Sequence, residues 1–383
     1  MDFALTDEHV LLRDMVRDFV ARQVAPLAAE RDREAAFPDR ELAAAAGLGL
    51  CGMMVPEDYG GTPLGALGAA VVYEELAYGS PALSVTLSVH NSLVCGGIAA
   101  YGSSELKQRL LPGLATGELL GAYALTEPQA GSDAAAITTR AVRENDEFVL
   151  TGRKIFVTSG GHAGIFIVFA VTDPVARTSR RISAFVVERG TPGLEIPRKE
   201  RKLGLRASEI VELSLRAVRV PAGNLLGSVG QGFGIAMHLL DGGRVGIGAQ
   251  SLGIARSAYD RARHYALERE QFGQPIAAFQ ANAWKLADMA TRIEAARMLV
   301  WRAACLRDAG APHTLEASQA KLFASEAATQ VTDQAVQIHG GYGYLEDYEV
   351  ERYFRDARAT VIYEGTSEIQ RLVIARQVLG EHR

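Results

Sequence analysis

Apolar residues recur at helical spacing along the first third of the chain. Val10, Leu11, Val16, Phe19 and Val20 fall near one face of a helix, and two later apolar segments each end at a glycine. The pattern from residue 6 to about 118 therefore predicts an α-helical domain.

The spacing of apolar residues changes to two between about residues 123 and 226. Segments such as "EFVLTGRKIFVTSG" and "AGIFIVFAVTD" alternate in the manner of strands, and they are separated by turn signals such as Asn145-Asp146 and "GTPG". No long helix separates these strands, which argues against a parallel βαβ sheet. We expect a β domain built as a small barrel or as paired sheets.

From about residue 230 the helical period returns in much longer segments. Two of them carry Ala, Leu and Ile stripes over roughly 25 to 35 residues, or about 40 to 50 Å of helix. A long four-helix bundle is the packing that this pattern favours. The sequence thus predicts three domains: residues 1–120 α-helical, 121–228 β, and 229–383 a four-helix bundle.

Composition and charge narrow the classes of protein. The chain has 383 residues, 48% of them hydrophobic, and a formal charge of −5 without a long Lys/Arg tract, which disfavours nucleic-acid or acidic-membrane binding. Cys51, Cys95 and Cys305 lie far apart and predict reduced, mostly buried thiols. The N-terminus does not resemble a signal or transit peptide, and we expect no segment long and apolar enough to span a membrane. A cytoplasmic location is predicted, or the mitochondrial matrix for a processed eukaryotic chain.

Several kinds of catalytic site lack their sequence signals. The stretches "GSVGQGFG" (227 to 234) and "GGYG" (340 to 343) are Gly-rich, but neither is a GxGxxG between a strand and a helix, and no P-loop occurs. Both fit loops with tight turns. His90 and His339 lie on apolar segments as core or interface residues would, no HExxH or GxSxG is present, and we predict no metal site.

Two short segments do carry candidate chemistry. The loop "YALTEPQAGSD" (123 to 133) offers hydroxyls and backbone N–H groups that could line a polar heteroaromatic ring, although a Pro/Gly turn with local caps explains it equally simply. In "IYEGTSEIQ" (362 to 370), Ser367 and Gln370 fit a capping box, which puts Glu364 just before a helix. Glu364 is either a complement to the helix dipole or a general base at the end of an apolar, strand-like run.

Taken together, the chain resembles the acyl-CoA dehydrogenase family along essentially its whole length. Six segments stand in that family's order: "LTEPQAGSD" (125 to 133), "KIFVTSGG" (154 to 161), "LDGGRVGIGAQ" (240 to 250), "EREQFGQPIAAFQ" (268 to 280), "QIHGGYGY" (337 to 344) and "YEGTSEIQ" (363 to 370). The resemblance implies a helical domain, a central β domain and a C-terminal four-helix bundle, with FAD held between the last two. It also implies formation of a trans double bond between Cα and Cβ of an acyl thioester.

The same resemblance assigns candidate cofactor residues. Those that would contact the isoalloxazine ring are Tyr123, Leu125, Thr126, Gly131, Ser132, Phe156, Val157 and Thr158. Those that would hold the pyrophosphate and adenosine ends are Arg269, Phe272 and Gln280, together with Gln337, Ile338, His339, Gly340 and Gly341 of a neighbouring subunit. Thr366 and Glu368 would also contact the cofactor. A shared site of this kind implies at least a dimer and usually a homotetramer.

Glu364 falls on the family's catalytic carboxylate in one large branch. It would remove the α-proton while the β-hydrogen leaves as hydride to flavin N5, and its own backbone N–H with a ribityl hydroxyl of FAD would stabilise the thioester oxyanion. Burial should raise the pKa of Glu364. Other branches place the base at the position of Gly243, which cannot accept a proton. The substrate would be contacted by Ser132, Asp241, Arg244 and Gly365. For Asp241 and Arg244 the alternative is an ordinary ion pair between positions i and i+3 of one helix.

The segment "SVTLSVHNSLVCGGIAAYG" (84 to 102) resembles the acyl-pocket segment of short-chain and branched short-chain members. No Arg or Lys lies between Glu75 and Lys107, so a monocarboxylic acyl-CoA is favoured over glutaryl-CoA. An acyl-carrier-protein-dependent dehydrogenase, an acyl-CoA oxidase and a non-redox acyl-CoA binding protein are the rival functions. The resemblance implies an electron-transferring flavoprotein as electron acceptor, and a place in fatty acid β-oxidation or branched-chain amino acid catabolism.

Overall fold

The structure is a computed structural model, and it describes residues 4–177 and 180–380. The first three and last three residues of the predicted terminal domains lie outside the described residues. The expected order of helices, strands and again helices is confirmed.

Seven helices form the N-terminal part of the chain. Their bounds are α1 (Asp7–Phe19), α2 (Ala25–Glu34), α3 (Asp39–Gly47), α4 (Gly65–Gly79), α5 (Pro81–Ser88), α6 (Gly96–Tyr101) and α7 (Ser104–Ala115). A π-helical turn, Val89–Cys95, joins α5 to α6 without a break. His90 in this turn is fully buried and bonds the carbonyls of Cys51 and Leu114 through Nε2, so it is the core histidine that the sequence predicted.

The continuous helix Pro81–Tyr101 corrects one expectation. By length and composition it is apolar enough to cross a membrane, contrary to the prediction that no segment would be. Its apolar window is 89% buried inside the protein, because α4 and a later helix cover it. The same apolar surface that would face lipid here lies in the core.

The middle of the chain forms an eight-stranded sheet. Its strands are β1 (Gly121–Ala124), β2 (Arg140–Glu144), β3 (Glu147–Thr158), β4 (Ile165–Val171), β5 (Ile182–Glu188), β6 (Leu194–Lys199), β7 (Ile210–Pro221) and β8 (Leu225–Leu226). The order is β6-β7-β3-β2-β4-β5-β8, with β1 on β4. Among the described residues, Arg140 and Val171 form the only pair that joins β2 to β4. The strands on the two sides of this junction fold over a shared core, as paired sheets would. Most neighbours are antiparallel, as expected, but β1 pairs with β4 in parallel.

The C-terminal part contains three long helices and two shorter ones. They are α8 (Gly232–Glu268), α9 (Gln280–Asp308), α10 (Thr314–His339), α11 (Val350–Thr360) and α12 (Ser367–Leu379). The short strands β9 (Glu270–Gln271) and β10 (Gln274–Pro275) form a hairpin between α8 and α9. Buried alanines on α8, α9 and α10 let these helices approach closely, and α4 packs on the same core. The turn that carries Glu364 connects α11 to α12.

Candidate active site

The turn between α11 and α12 places Glu364 directly before a helix, as predicted. The cap is Thr366, whose hydroxyl accepts from the Ile369 N–H, so the predicted cap at Ser367 is wrong by one residue. Gln370 does not return to the cap as a capping box requires. Its side chain instead donates to the carbonyls of Glu364 and Gly365, at 3.2 and 3.0 Å.

The apolar run before Glu364 is not strand-like, and that expectation was also wrong. The chain is helical over Val350–Thr360 and then turns. Arg355 of this helix pairs with Asp32 of α2 and with Glu351 one turn earlier, and these contacts favour the helix over extended backbone.

The Glu364 carboxylate is buried beside α8 and the π-helical turn. Both of its oxygens are buried and have no hydrogen-bond partner among the described residues. A Cβ built on Gly243 of α8 would lie 2.1 Å from one of these oxygens, and 3.2 Å from Leu93 of the π-helical turn. The glycine at the alternative base position therefore makes room for the carboxylate of Glu364.

Burial raises the pKa of Glu364 to about 7, in the predicted direction. The ammonium of Lys321 and the guanidinium of Arg244 act against this rise. Burial also raises the pKa values of three tyrosines near Glu364: Tyr73, Tyr123 and Tyr363. A carboxylic acid with this pKa can exchange a proton at neutral pH, which suits a general base.

Asp241 and Arg244 form the intrahelical ion pair that the sequence offered as an alternative to substrate contact. Thr314 at the start of α10 donates to the second oxygen of Asp241 at 2.6 Å, which holds the pair in place. The predicted contact of these residues with substrate stays a prediction.

A second glycine of α8 makes a close contact with α4 and α5. A Cβ on Gly246, one turn after Gly243, would lie 2.5 Å from the Ser88 hydroxyl and 3.5 Å from the Tyr73 ring. The Ser88 hydroxyl is buried without a hydrogen-bond partner in the described residues. Ser88 and Leu93 belong to the segment 84–102, so that segment does border the space beside the carboxylate.

The loop of residues 125–133 is held from below by a buried ion pair. Lys154 of β3 donates to Glu127 at 2.7 Å and to the Leu125 carbonyl at 3.0 Å. Glu127 also accepts from the Gln129 amide and from Thr138 and Thr139, so its carboxylate receives five hydrogen bonds. The loop is thus more than a locally capped Pro/Gly turn. Leu125 is buried, Thr126 is half-buried, and Gly131 and Ser132 are exposed at its tip.

Strand β3 brings a second set of predicted residues beside this loop. The Ile155 N–H donates to the Thr126 carbonyl at 2.9 Å, and the pairing of β3 with β7 shifts register between Lys154 and Val157. At this bulge Phe156 adopts a φ of 57° and is 59% exposed, although Val157 beside it is fully buried. The bulge therefore turns an aromatic ring outward next to the polar loop.

Ser159 and Glu209 lie beside this bulge. The Ser159 N–H donates to the Glu209 carbonyl at 2.7 Å, and both side chains are buried. The Ser159 hydroxyl and one Glu209 oxygen have no hydrogen-bond partner among the described residues. Both therefore keep bonding capacity beside the bulge.

The residues predicted for the distal part of the cofactor lie at the hairpin end of the bundle. Arg269 stands over the Tyr342 ring at 5.7 Å, and Phe272 is 93% exposed with a φ of 52°. Gln280 is exposed at the start of α9. In the stretch from Gln337 to Gly341, Ile338 and His339 are buried and the other three residues are exposed. Within one chain Arg269 and this stretch are thus neighbours, and their division between subunits stays a prediction.

Thr366 and Glu368 line a cleft of about 290 Å³ at the N-terminus of α12. Its other walls come from α10, such as Glu326 and Thr329, and from the end of α11. Glu364 precedes these residues in the same turn, so the predicted cofactor contacts and the predicted base are carried by one short segment.

These features fit the predicted FAD. The ring system of FAD needs an apolar face and hydrogen-bond donors at its edge, and its diphosphate needs a cation. The exposed Phe156 offers the face, the loop 125–133 offers donors, and Arg269 offers the cation. Backbone at positive φ in a non-glycine residue costs free energy, and such residues cluster at functional sites, where the surrounding structure holds them. Phe156, Ser159, Phe272 and Glu364 all adopt such backbone, at φ of 57°, 59°, 52° and 51°.

Sequence reasoning missed three residues that hold these segments: Glu127, Lys154 and Lys321. It named Gln370, but for a capping box instead of the contacts that Gln370 makes. Lys321 had a usable signal, because it lies four residues after Ala317 and three before Ala324, on the stripe that α10 buries. A lysine on a buried stripe needs a partner. Lys154 had a weaker signal, since it lies on the same alternate positions of β3 as the buried Phe148 and Leu150.

Comparison with known proteins covers nearly the whole chain. Three family models match: the acyl-CoA dehydrogenase N-terminal domain over residues 6–118, the middle domain over 122–218 and the C-terminal domain over 230–379. A short-chain specific acyl-CoA dehydrogenase from Clostridium acetobutylicum is 48% identical over 99% of this chain and 100% of its own.

Two solved structures share the fold at high similarity. Butyryl-CoA dehydrogenase from Megasphaera elsdenii is 44% identical with a TM-score of 0.97, over 99% of this chain and 100% of that one. A chain in a structure described as the electron transferring flavoprotein of Acidaminococcus fermentans is 45% identical with a TM-score of 0.98, over 100% of both chains.

Proposed function

Because the chain belongs to the acyl-CoA dehydrogenase family, we propose that it dehydrogenates a short-chain acyl-CoA, with Glu364 as the base that takes the α-proton. The sequence resemblance is confirmed for the family, the three-domain fold, the flavin-dependent enzyme class and the FAD cofactor. The observation that carries the role of Glu364 is its buried carboxylate, which has no hydrogen-bond partner among the described residues.

When bound, FAD supplies a two-electron acceptor for the hydrogen that leaves Cβ. Glu364 removes the proton from Cα, and the electron pair of that C–H bond forms the Cα–Cβ double bond as hydride departs. Its carboxylate can accept this proton because neither oxygen is occupied by a donor. Gly243 and Leu93 lie beside this buried carboxylate, and burial away from water makes the carboxylate a stronger base.

The thioester oxygen must carry charge as the α-proton leaves. In the described residues, the backbone N–H of Glu364 donates to no other group, so it is free to donate to that oxygen. Glu364 lies in the turn between α11 and α12, at a φ of 51°. A preorganised donor of this kind stabilises the developing oxyanion without reorganising during the reaction.

The substrate is proposed to be a short, uncharged acyl chain on CoA. The relatives that support this are a short-chain specific acyl-CoA dehydrogenase and a butyryl-CoA dehydrogenase, and the segment 84–102 contributes no cation for a distal carboxylate. Anaerobic titration of the yellow holoenzyme with straight thioesters of increasing length, branched thioesters and glutaryl-CoA tests it. Butyryl-CoA or a near homologue should bleach the flavin band most completely, and a protein that keeps its colour with every thioester would contradict the proposal.

Turnover assays in air, run beside the anaerobic titration, separate the rival functions. An oxidase would produce peroxide in air without an added acceptor, and a carrier-protein enzyme would turn over CoA thioesters poorly. The proposed acceptor is an electron-transferring flavoprotein, supported by the similarity to a chain in a structure described by that name. A homotetramer and a cytoplasmic location are part of the same proposal, on the strength of the family.

Flavin reduction should depend on pH through Glu364. Only the deprotonated carboxylate can take the α-proton, and burial holds the pKa of this group at about 7 despite Lys321 and Arg244. The rate should therefore rise with pH through about 7 and level off above it. Stopped-flow reduction by butyryl-CoA across this range measures the midpoint, and a rate that is independent of pH there would count against Glu364 as the base.

A further inference from the structure

The backbone that carries Glu364 is unfavourable and must be held by its surroundings. Glu364 has a φ of 51° and Gly365 a φ of 95°, so two successive residues lie in the left-handed region. Glycine tolerates this region, but glutamate does not without compensation. Contacts to the carbonyls of these two residues are therefore what keeps the carboxylate in position.

Two fully buried side chains make those contacts. Lys321 on α10 donates from Nζ to the Gly365 carbonyl at 2.7 Å, from 44 residues away in the chain. Gln370 on α12 donates to the carbonyls of both Glu364 and Gly365. The turn is thus anchored once from its own helix, α12, and once from α10, which packs on both α11 and α12.

Lys321 differs from Gln370 in carrying a charge. In the part of the chain that the structure describes, no carboxylate lies within ion-pair distance of its ammonium. Glu364 is the strongest of the carboxylates that favour its charged form, and burial lowers the pKa of Lys321 to about 8. Arg244, the other cation facing Glu364, is already bonded to Asp241.

This arrangement separates attraction from hydrogen bonding. A cation bonded directly to the Glu364 oxygens would occupy the lone pairs that must accept the α-proton. The Lys321 ammonium instead bonds the adjacent carbonyl, so its field favours the carboxylate while both oxygens stay free. A neutral donor at the same place would hold the turn but would supply no such field.

We propose that Lys321 is a positioning residue for Glu364, fixing the turn through the Gly365 carbonyl and favouring the ionised carboxylate without bonding to it. The proposal rests on the proposed role of Glu364 as the base. The groups that face the carboxylate are Lys321 from α10, Arg244 from α8, and neutral tyrosines from α4, β1 and the turn itself.

The test compares variants that separate charge from anchoring. Lys321→Met removes both, Lys321→Gln keeps a donor without charge, Lys321→Arg keeps charge, and Gln370→Met removes an anchor that never had charge. Each holoenzyme is reduced anaerobically with butyryl-CoA as a function of pH. We expect the two neutral Lys321 variants to raise the pH midpoint of the reduction rate by about one pH unit or more. Lys321→Arg should keep the midpoint of the unsubstituted protein. Gln370→Met should lower the rate but leave its pH midpoint unchanged.

A spectroscopic readout keeps the result independent of turnover. Infrared difference spectra between low and high pH show the protonated carboxyl band of Glu364, which is assigned by its loss in Glu364→Gln. The pH at which this band disappears should rise in the two neutral Lys321 variants, relative to the unsubstituted protein, by the same amount as the kinetic midpoint.

The two readouts distinguish the possible failures. If both midpoints are unchanged in Lys321→Gln, Lys321 only anchors the backbone and the inference is overturned. If the unsubstituted holoenzyme is not reduced by any acyl-CoA, the proposed function fails, while the infrared midpoints still decide whether Lys321 sets the protonation of Glu364.

Discussion

Replacing Glu364 with Gln is expected to slow the reduction of bound FAD by butyryl-CoA by between about 10² and 10⁴-fold. An amide has nearly the size of the carboxylate but cannot accept the α-proton. The space bounded by Gly243 and Leu93 should therefore hold the substituted side chain without rearrangement. Stopped-flow measurement of the flavin band under anaerobic conditions gives the rate, and absorbance ratios give the FAD content, which should be unchanged.

An exposed carboxylate provides the control for this variant. Glu346 lies on the surface of the loop before α11, so Glu346→Gln should retain the full rate. If Glu364→Gln reduces its flavin as fast as Glu346→Gln does, another group takes the α-proton and the assignment fails.

The same substitution should change how stability depends on pH. A carboxyl with a folded pKa of about 7 and an ordinary value of 4.5 binds its proton more tightly in the folded state. This tighter binding stabilises the folded protein fully below pH 4.5. The stabilisation is lost as the pH rises through the folded pKa, and the total loss is about 3 kcal/mol. Glu364→Gln removes this loss, so the variant should resist denaturation better than the unsubstituted protein above neutral pH.

The repeating patterns were enough to predict the architecture. Helical spacing before residue 118, alternation in "AGIFIVFAVTD" and long alanine stripes after residue 230 each match an element or group of elements. These patterns show which face of each element is apolar, and that face can be identified from neighbouring residues in the sequence alone. The parallel pairing of β1 with β4 was not predicted, because strand partners are distant in sequence and alternation does not identify them.

The site was predictable only where a motif carried it. Glu364 could be proposed from "YEGTSEIQ", but the shape of its turn could not, and the cap at Thr366 and the helix before the turn were both misjudged. Lys321 and Lys154 act through contacts 44 and 27 residues away in sequence. Such partners become visible only when the chain is folded, since neither belongs to the segment that it holds.

The largest stability effect is expected at Lys154. Its ammonium is fully buried, and despite the cost of burial it lowers the pKa of Glu127 to about 2. Lys154→Met would leave the Glu127 carboxylate buried without its cation, which should reduce the free energy of unfolding by about 3 to 5 kcal/mol. Denaturant titration followed by far-UV circular dichroism measures this loss, and Lys107→Met, at a less buried position on α7, should change it by less than about 0.5 kcal/mol.

A double variant decides whether the ion pair itself is responsible. In Lys154→Met with Glu127→Gln, no uncompensated charge remains. Thr138 and Thr139 bond different oxygens of Glu127, so the single amide oxygen introduced there can still accept from one of them. Much of the lost stability should return, and FAD retention should recover with it, because the loop 125–133 regains its support. If the double variant is as unstable as the sum of the two single variants, Lys154 acts through packing alone, and the pair does not organise the loop that the cofactor is proposed to contact.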